Sequence, residues 1–152
     1  MMIFEELNVG HEEMDEQHRA LVRRLSDLES AVGAGDPAAF TAALGKLWDD
    51  TVGHFASEDA LMETFGYPER APHRTAHHLF LEDLRALVRE AELQGMSDDV
   101  AAWALQRVPA WLTFHIETND APLARFIARK EARQMLASAM GEQRPTTKRQ
   151  ES

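Results

Sequence analysis

The sequence predicts an all-α fold: an up-down-up-down antiparallel four-helix bundle with a short C-terminal helix. Three observations carry that expectation. Apolar residues recur at three- and four-residue spacing through four long stretches, no stretch alternates apolar and polar residues as a half-buried strand would, and short Gly- and Pro-marked turns separate the stretches. Helices joined by short turns pack against antiparallel neighbours. A chain of 152 residues suffices for one domain with a real core. Residues 1–140 are expected to form that domain, and residues 141–152, polar and without periodicity, a disordered tail.

The first helix is expected to start between Gly10 and Asp15, where Glu12, Glu13 and Asp15 suit the positive end of the helix dipole. His18, Leu21, Val22, Leu25, Leu28 and Val32 then form one stripe, stopped by Gly33 and Gly35. Asp36 and Pro37 predict the second start, because aspartate caps free amides and proline is preset for the first helical position. That helix keeps Leu44, Leu47, Trp48, Thr51, His54, Phe55, Glu58, Leu61, Met62 and Phe65 on one face. A third helix, begun between Pro68 and Pro72 and ended by Gly95, presents His73, His77, Phe80, Leu81, Leu84, Leu87 and Val88. The fourth starts at Ser97, Asp98 and Asp99 and carries Val100, Trp103, Ala104, Val108, Trp111, Leu112, His115 and Ile116, with Pro109 expected to kink it. Pro122 opens the C-terminal helix, with Leu123, Phe126 and Ile127 as its apolar contacts.

Composition narrows the function. A formal charge of -10 disfavours nucleic acid and anionic membrane surfaces as partners, since both reward a basic face. No apolar run approaches the roughly 20 residues of a membrane span. The opening residues lack the basic start and apolar core of a secretory signal, so a cytoplasmic location is the expectation. Without cysteine, histidine and carboxylate are the available metal ligands.

The histidines supply a chemistry. His54 and Glu58 lie four apart on one helix, and His73 and His77 four apart on the next, so each pair shares a face. The turn at Gly66, Tyr67 and Pro68 folds the two helices together. His18 and His115 sit on the apolar faces of the first and fourth helices. A lone histidine in such a place is ordinarily a core residue with a hydrogen-bond partner. Five imidazoles and a carboxylate on the inward faces of four helices are another matter: each unpaired polar group would cost about 1 to 3 kcal/mol, a penalty that a metal removes. His11 precedes the first stripe and His78 is rotated about 100° from His77, so neither is expected to be a ligand.

Taken together, the run from Gly10 to Leu21 with Asp15, Gln17 and His18, then His54, Phe55, Glu58 and Met62, then Tyr67, Pro68, His73, His77 and Phe80, and finally Trp111, Leu112, His115, Ile116 and Asp120, resemble the hemerythrin family in its single-domain bacterial form. The resemblance implies two non-haem irons, with His73, His77 and His115 on one, His18 and His54 on the other, and Glu58, Asp120 and an oxo or hydroxo group bridging. It implies an open position on the two-histidine iron and reversible dioxygen binding, as carrier, store or sensor, with nitric oxide as another candidate ligand. A non-enzymatic monomer served by an unidentified electron donor is the expectation. Phe55, Phe80, Trp111, Leu112 and Ile116 match positions that line the family's ligand pocket. Asp120 rests on the resemblance alone. Five residues after His115 it lies about 140° around an ideal helix, so sharing the site requires a local distortion or a helix end near Pro122. The alternative function, a di-iron oxidase, peroxidase or iron store, would favour Glu-x-x-His motifs and a carboxylate-rich site, whereas here histidines outnumber carboxylates.

Overall fold

Residues 7–142 are described in the computed structural model, and every regular element among them is helical. The first six residues and most of the expected tail, from 143 onward, lie outside the described residues. Helix α1 (Glu12–Gly33) is capped by an imidazole: Nδ1 of His11 accepts a hydrogen bond from the Met14 amide at 3.2 Å. Asp15 holds the segment before it, accepting from the amides of Val9 and Gly10 at 2.8 and 3.2 Å. Helix α2 (Pro37–Phe65) starts as its sequence dictates, with Asp36 accepting from the Ala39 amide and Pro37 in the first turn. It stops at Gly66, which turns left-handed at φ +64° while the Tyr67 amide reaches back to the Met62 carbonyl. A side chain at position 66 would strain that turn. Helix α3 (Arg70–Gln94) begins between the two prolines and ends at Gly95.

The fourth leg of the up-down-up-down path is one continuous helical rod. It runs through α4 (Asp98–Ala102, capped by Ser97), a π-helical turn at Trp103–Arg107, α5 (Val108–His115), a second π turn at Ile116–Asp120, and α6 (Ala121–Glu142). Pro109 does not divide it. The wide turn just before the proline, closed by the Val108 amide on the Trp103 carbonyl, gives its ring room within a helix that continues. Pro122 directly follows the second π turn, and α6 continues from that turn without interruption.

The bundle interior has two apolar layers. The larger contains Leu21, Leu25, Leu28, Phe40, Leu44, Leu47, Phe55, Phe80, Leu84, Leu87, Val108, Leu112 and Ile116; the smaller contains Met14, Met62, Leu123, Ala124 and Ile127. Each fully buried Leu, Ile, Phe or Met contributes about 1.5–3 kcal/mol by leaving water. The inward rows pass from one layer to the other through polar residues: Met14, His18, Leu21 on α1; Phe55, Glu58, Met62 on α2; Ile116, Asp120, Leu123 on the rod. The polar side chains therefore occupy a slab walled by apolar packing above and below. Among the described residues, no helix is long and apolar enough to cross a membrane.

Candidate metal centre

Seven buried polar side chains meet in that slab: His18 from α1, His54 and Glu58 from α2, His73 and His77 from α3, and His115 and Asp120 from the rod. The two carboxylates, both 0% exposed, sit in the middle, and each divides its oxygens between two groups of imidazoles. Oε2 of Glu58 faces Nε2 of His73 at 2.8 Å and of His77 at 3.1 Å, while its Oε1 faces Nε2 of His54 at 2.6 Å and of His18 at 3.8 Å. Asp120 repeats the division: Oδ1 lies 3.0 Å from Nε2 of His115 and 3.2 Å from that of His73, and Oδ2 lies 2.8 Å from that of His18 and 3.7 Å from that of His54. The result is a three-histidine half and a two-histidine half sharing two carboxylates.

Asp120 reaches this site through the second π turn. A turn closed by an i to i+5 hydrogen bond, here the Ala121 amide on the Ile116 carbonyl, fits one more residue per turn than an α-helix does. That extra residue brings the position five after His115 onto the face of His115 itself. The distortion required for Asp120 is present, and it is a widened turn instead of a helix end.

The charges explain why so polar a cluster tolerates burial. Burial and the neighbouring Asp120 charge both push the Glu58 carboxyl up, but the imidazoles of His54 and His18 outweigh them and hold it well below the ordinary carboxylate range. Burial likewise raises the Asp120 carboxyl, and His115, His18, His54 and His73 packed around it bring it well below its usual value. Burial disfavours the cationic forms of His54 and His73, yet the two carboxylates lift both to about 9, and they raise His18 as well. His77 is the exception: burial, reinforced by the charges of His115 and His73, outweighs Glu58 and lowers it to about 4.

Proton sharing does not satisfy the cluster. Among the described residues, Nε2 of His54, Oε1 of Glu58 and Oδ1 of Asp120 are buried without a hydrogen-bond partner, although the first two atoms are only 2.6 Å apart. They face a common point more than they face each other. His77 and His115 bring two Nε2 atoms to 3.0 Å, where neutral imidazoles satisfy each other only if one supplies a proton. In the three-histidine half the adjacent ligand atoms lie 2.8–3.2 Å apart. Octahedral ligands at bond lengths of about 2.1 Å would be separated by roughly 3.0 Å. The residues fit a cation in each half.

The aromatic residues border the three-histidine half. Phe55 stacks on His77 with ring centroids 3.7 Å apart, Trp111 stacks on His115 at 4.6 Å, and Phe80 stacks on Trp111 at 3.7 Å. Leu112 and Ile116 are buried in the same apolar layer as Phe55.

A sequence profile described as the hemerythrin HHE cation binding domain matches residues 9–127. The chain belongs to the hemerythrin family. It is 32% identical over 117 residues to a bacteriohemerythrin of Stenotrophomonas maltophilia, covering 76% of this chain and 74% of that protein. It is similarly 32% identical to a bacteriohemerythrin of Pseudomonas aeruginosa, over 77% of this chain and 74% of that one. A myohemerythrin of Sipunculus nudus is 30% identical over 116 residues, or 76% of this chain and 84% of its own length. For a hemerythrin, a buried cluster of histidines, glutamate and aspartate divided in this way fits a non-haem di-iron site.

His11 and His78 stand apart from the cluster. His11 caps α1, and His78 is exposed, with Nε2 3.5 Å from Glu82. One residue that periodicity passes over touches a member of the cluster: Oε1 of Gln17 accepts a hydrogen bond from Nδ1 of His54 at 2.6 Å. Gln17 sits at the edge of the α1 stripe, half-buried, so neither hydrophobic spacing nor ligand spacing points to it. Only the pairing of α1 with α2 reveals the contact.

Proposed function

We propose that this hemerythrin binds dioxygen reversibly at a di-iron centre, with His73, His77 and His115 holding one iron, His18 and His54 the other, and Glu58 and Asp120 bridging them. The observation that carries this reading is the division of each carboxylate between the two halves, which suits two metal ions better than one. A pair of ferrous ions supplies the two electrons that dioxygen takes up on binding and recovers them on release. The unequal imidazole count favours the two-histidine half as the place where a small ligand enters. Its ligand atoms are also more unevenly spaced, from 2.6 to 3.8 Å, than those of the three-histidine half.

The protein's own residues supply the rest. The apolar layers on either side exclude water and anions, and the stacked Phe55, Phe80 and Trp111 keep His77 and His115 from turning. The iron-loaded protein, reduced without air and mixed with a measured amount of oxygen, tests the proposal. About one dioxygen should be taken up per chain, with a visible charge-transfer band, and returned on degassing. Sustained oxygen consumption while reductant lasts, with none recoverable, would replace the binder with an oxidase.

A further inference from the structure

The five imidazoles of the site are not equally supported. Among the described residues, Nδ1 of His18, His73 and His115 is buried without a hydrogen-bond partner, while Nδ1 of His54 meets Oε1 of Gln17 at 2.6 Å. An amide oxygen only accepts, so Nδ1 of His54 must carry a proton, and when the ring gives up its other proton to bind metal it is Nε2 that presents a lone pair to the site. The same α1–α2 seam carries a second bond one turn away, Oγ of Ser57 donating to Oε1 of Glu13 at 2.8 Å. Both bonds tie the helices together, but only that of Gln17 ends on a candidate ligand.

We infer that Gln17 is a positioning residue that fixes the tautomer and orientation of His54, and so decides whether the histidine-poor half of the site retains its metal. The inference rests on the di-iron reading. The three-histidine half has three imidazoles to share the task, and two of them are clamped by stacked aromatic rings. The other half has two imidazoles, so a rotated His54 leaves it with a single nitrogen ligand. Gln17 is also neutral, and a neutral acceptor orients the imidazole without drawing its Nδ1 proton away as a carboxylate would.

Metal uptake separates this role from a merely structural one. The metal-free protein and its Gln17→Leu, Gln17→Glu and Ser57→Ala variants are titrated with cobalt(II), then challenged with a chelator, and the metals retained per chain are counted. The protein should take up two. Gln17→Leu should hold one as before and lose the other with an affinity reduced about 10- to 100-fold, the range seen when a ligand's outer hydrogen-bond partner is removed. Gln17→Glu, which keeps an acceptor, should restore retention, and its iron-loaded form should show a lower reduction potential because a carboxylate makes His54 the stronger donor. Ser57→Ala removes the neighbouring interhelical bond and should retain both metals. Two metals held equally well by Gln17→Leu, or equal losses in Gln17→Glu or Ser57→Ala, would overturn the inference and leave the di-iron reading standing. Fewer than two metals in the unaltered protein would overturn both.

Discussion

Filling the site with a divalent metal at pH 7.5 should expel about two protons per chain. Imidazole nitrogens bind metal only when unprotonated, so every proton on the Nε2 atoms must leave. His54 and His73, both raised to about 9, are roughly 97% cationic at that pH. His77, lowered to about 4, is already neutral, and Glu58 and Asp120, held well below the carboxylate range, are already ionised. His18, also raised, adds a further fraction. Zinc keeps oxidation chemistry out of the measurement, and calorimetric titration in two buffers of different ionisation enthalpy counts the protons. The count should fall toward zero above about pH 10. Between about pH 7 and 8 the combined affinity for filling both halves should rise by about 100-fold per pH unit, the slope that two displaced protons impose, and the rise should flatten as pH passes through 9. Release of less than about half a proton at pH 7.5 would refute the reasoning, because His54 and His73 would then be neutral beside two buried carboxylates.

Stability of the metal-free protein should follow the same groups. His54 and His73, raised above an unfolded value near 6.5, contribute fully below that pH and lose their contribution as pH climbs through 9. Glu58 and Asp120, lowered, contribute above their unfolded values near 4 and lose the contribution as pH falls further. Thermal melts should therefore decline on both flanks, and the alkaline decline should vanish once metal holds the imidazoles neutral; identical alkaline profiles with and without metal would contradict this. Glu58→Ala should weaken both halves at once and lower the metal content from two toward none, whereas His78→Ala, at an exposed position, should leave it unchanged; elemental analysis after dialysis reads both. Met62→Ala, which empties a fully buried place in the smaller apolar layer, should cost about 2–5 kcal/mol in urea unfolding, and a loss under 1 kcal/mol would mean the layer has collapsed around the gap.

Much of this was readable from residue order because the governing forces are local. Asp36 with Pro37, Gly66, Gly95 and Ser97 mark helix ends through backbone chemistry that no tertiary contact needs to supply. The pairs His54 with Glu58 and His73 with His77 follow from the α-helical repeat alone. Where that repeat fails, so does the reading. Asp120 is out of register with His115 on an ideal helix, and the family resemblance had to supply it until the π turn at Ile116–Asp120 gave the physical reason. The turn at Trp103–Arg107 likewise accommodates Pro109 within a helix that continues, and residue spacing did not announce that widened turn. Gln17 stood among the residues that carry the family resemblance, but its contact was illegible for a different reason: it depends on which residue of another helix stands opposite, and spacing within one helix carries no information about that.

No helix of the bundle brings more than two members of the cluster, and the members stretch from His18 to Asp120. The α2–α3 hairpin gathers His54, Glu58, His73 and His77 locally, and the other three members come from α1 and the last helical run. As the chain leaves the ribosome, the first three helices present His18, His54, Glu58, His73 and His77, but the group that completes both halves arrives last, on the far side of a loop closure spanning about a hundred residues. A nascent or truncated polypeptide without Asp120 cannot assemble the shared pair of carboxylates, so the complete cluster awaits the finished tertiary structure. Completion of the cluster thus depends on the last helical run, whose widened turn must be in place before Asp120 joins the other six side chains.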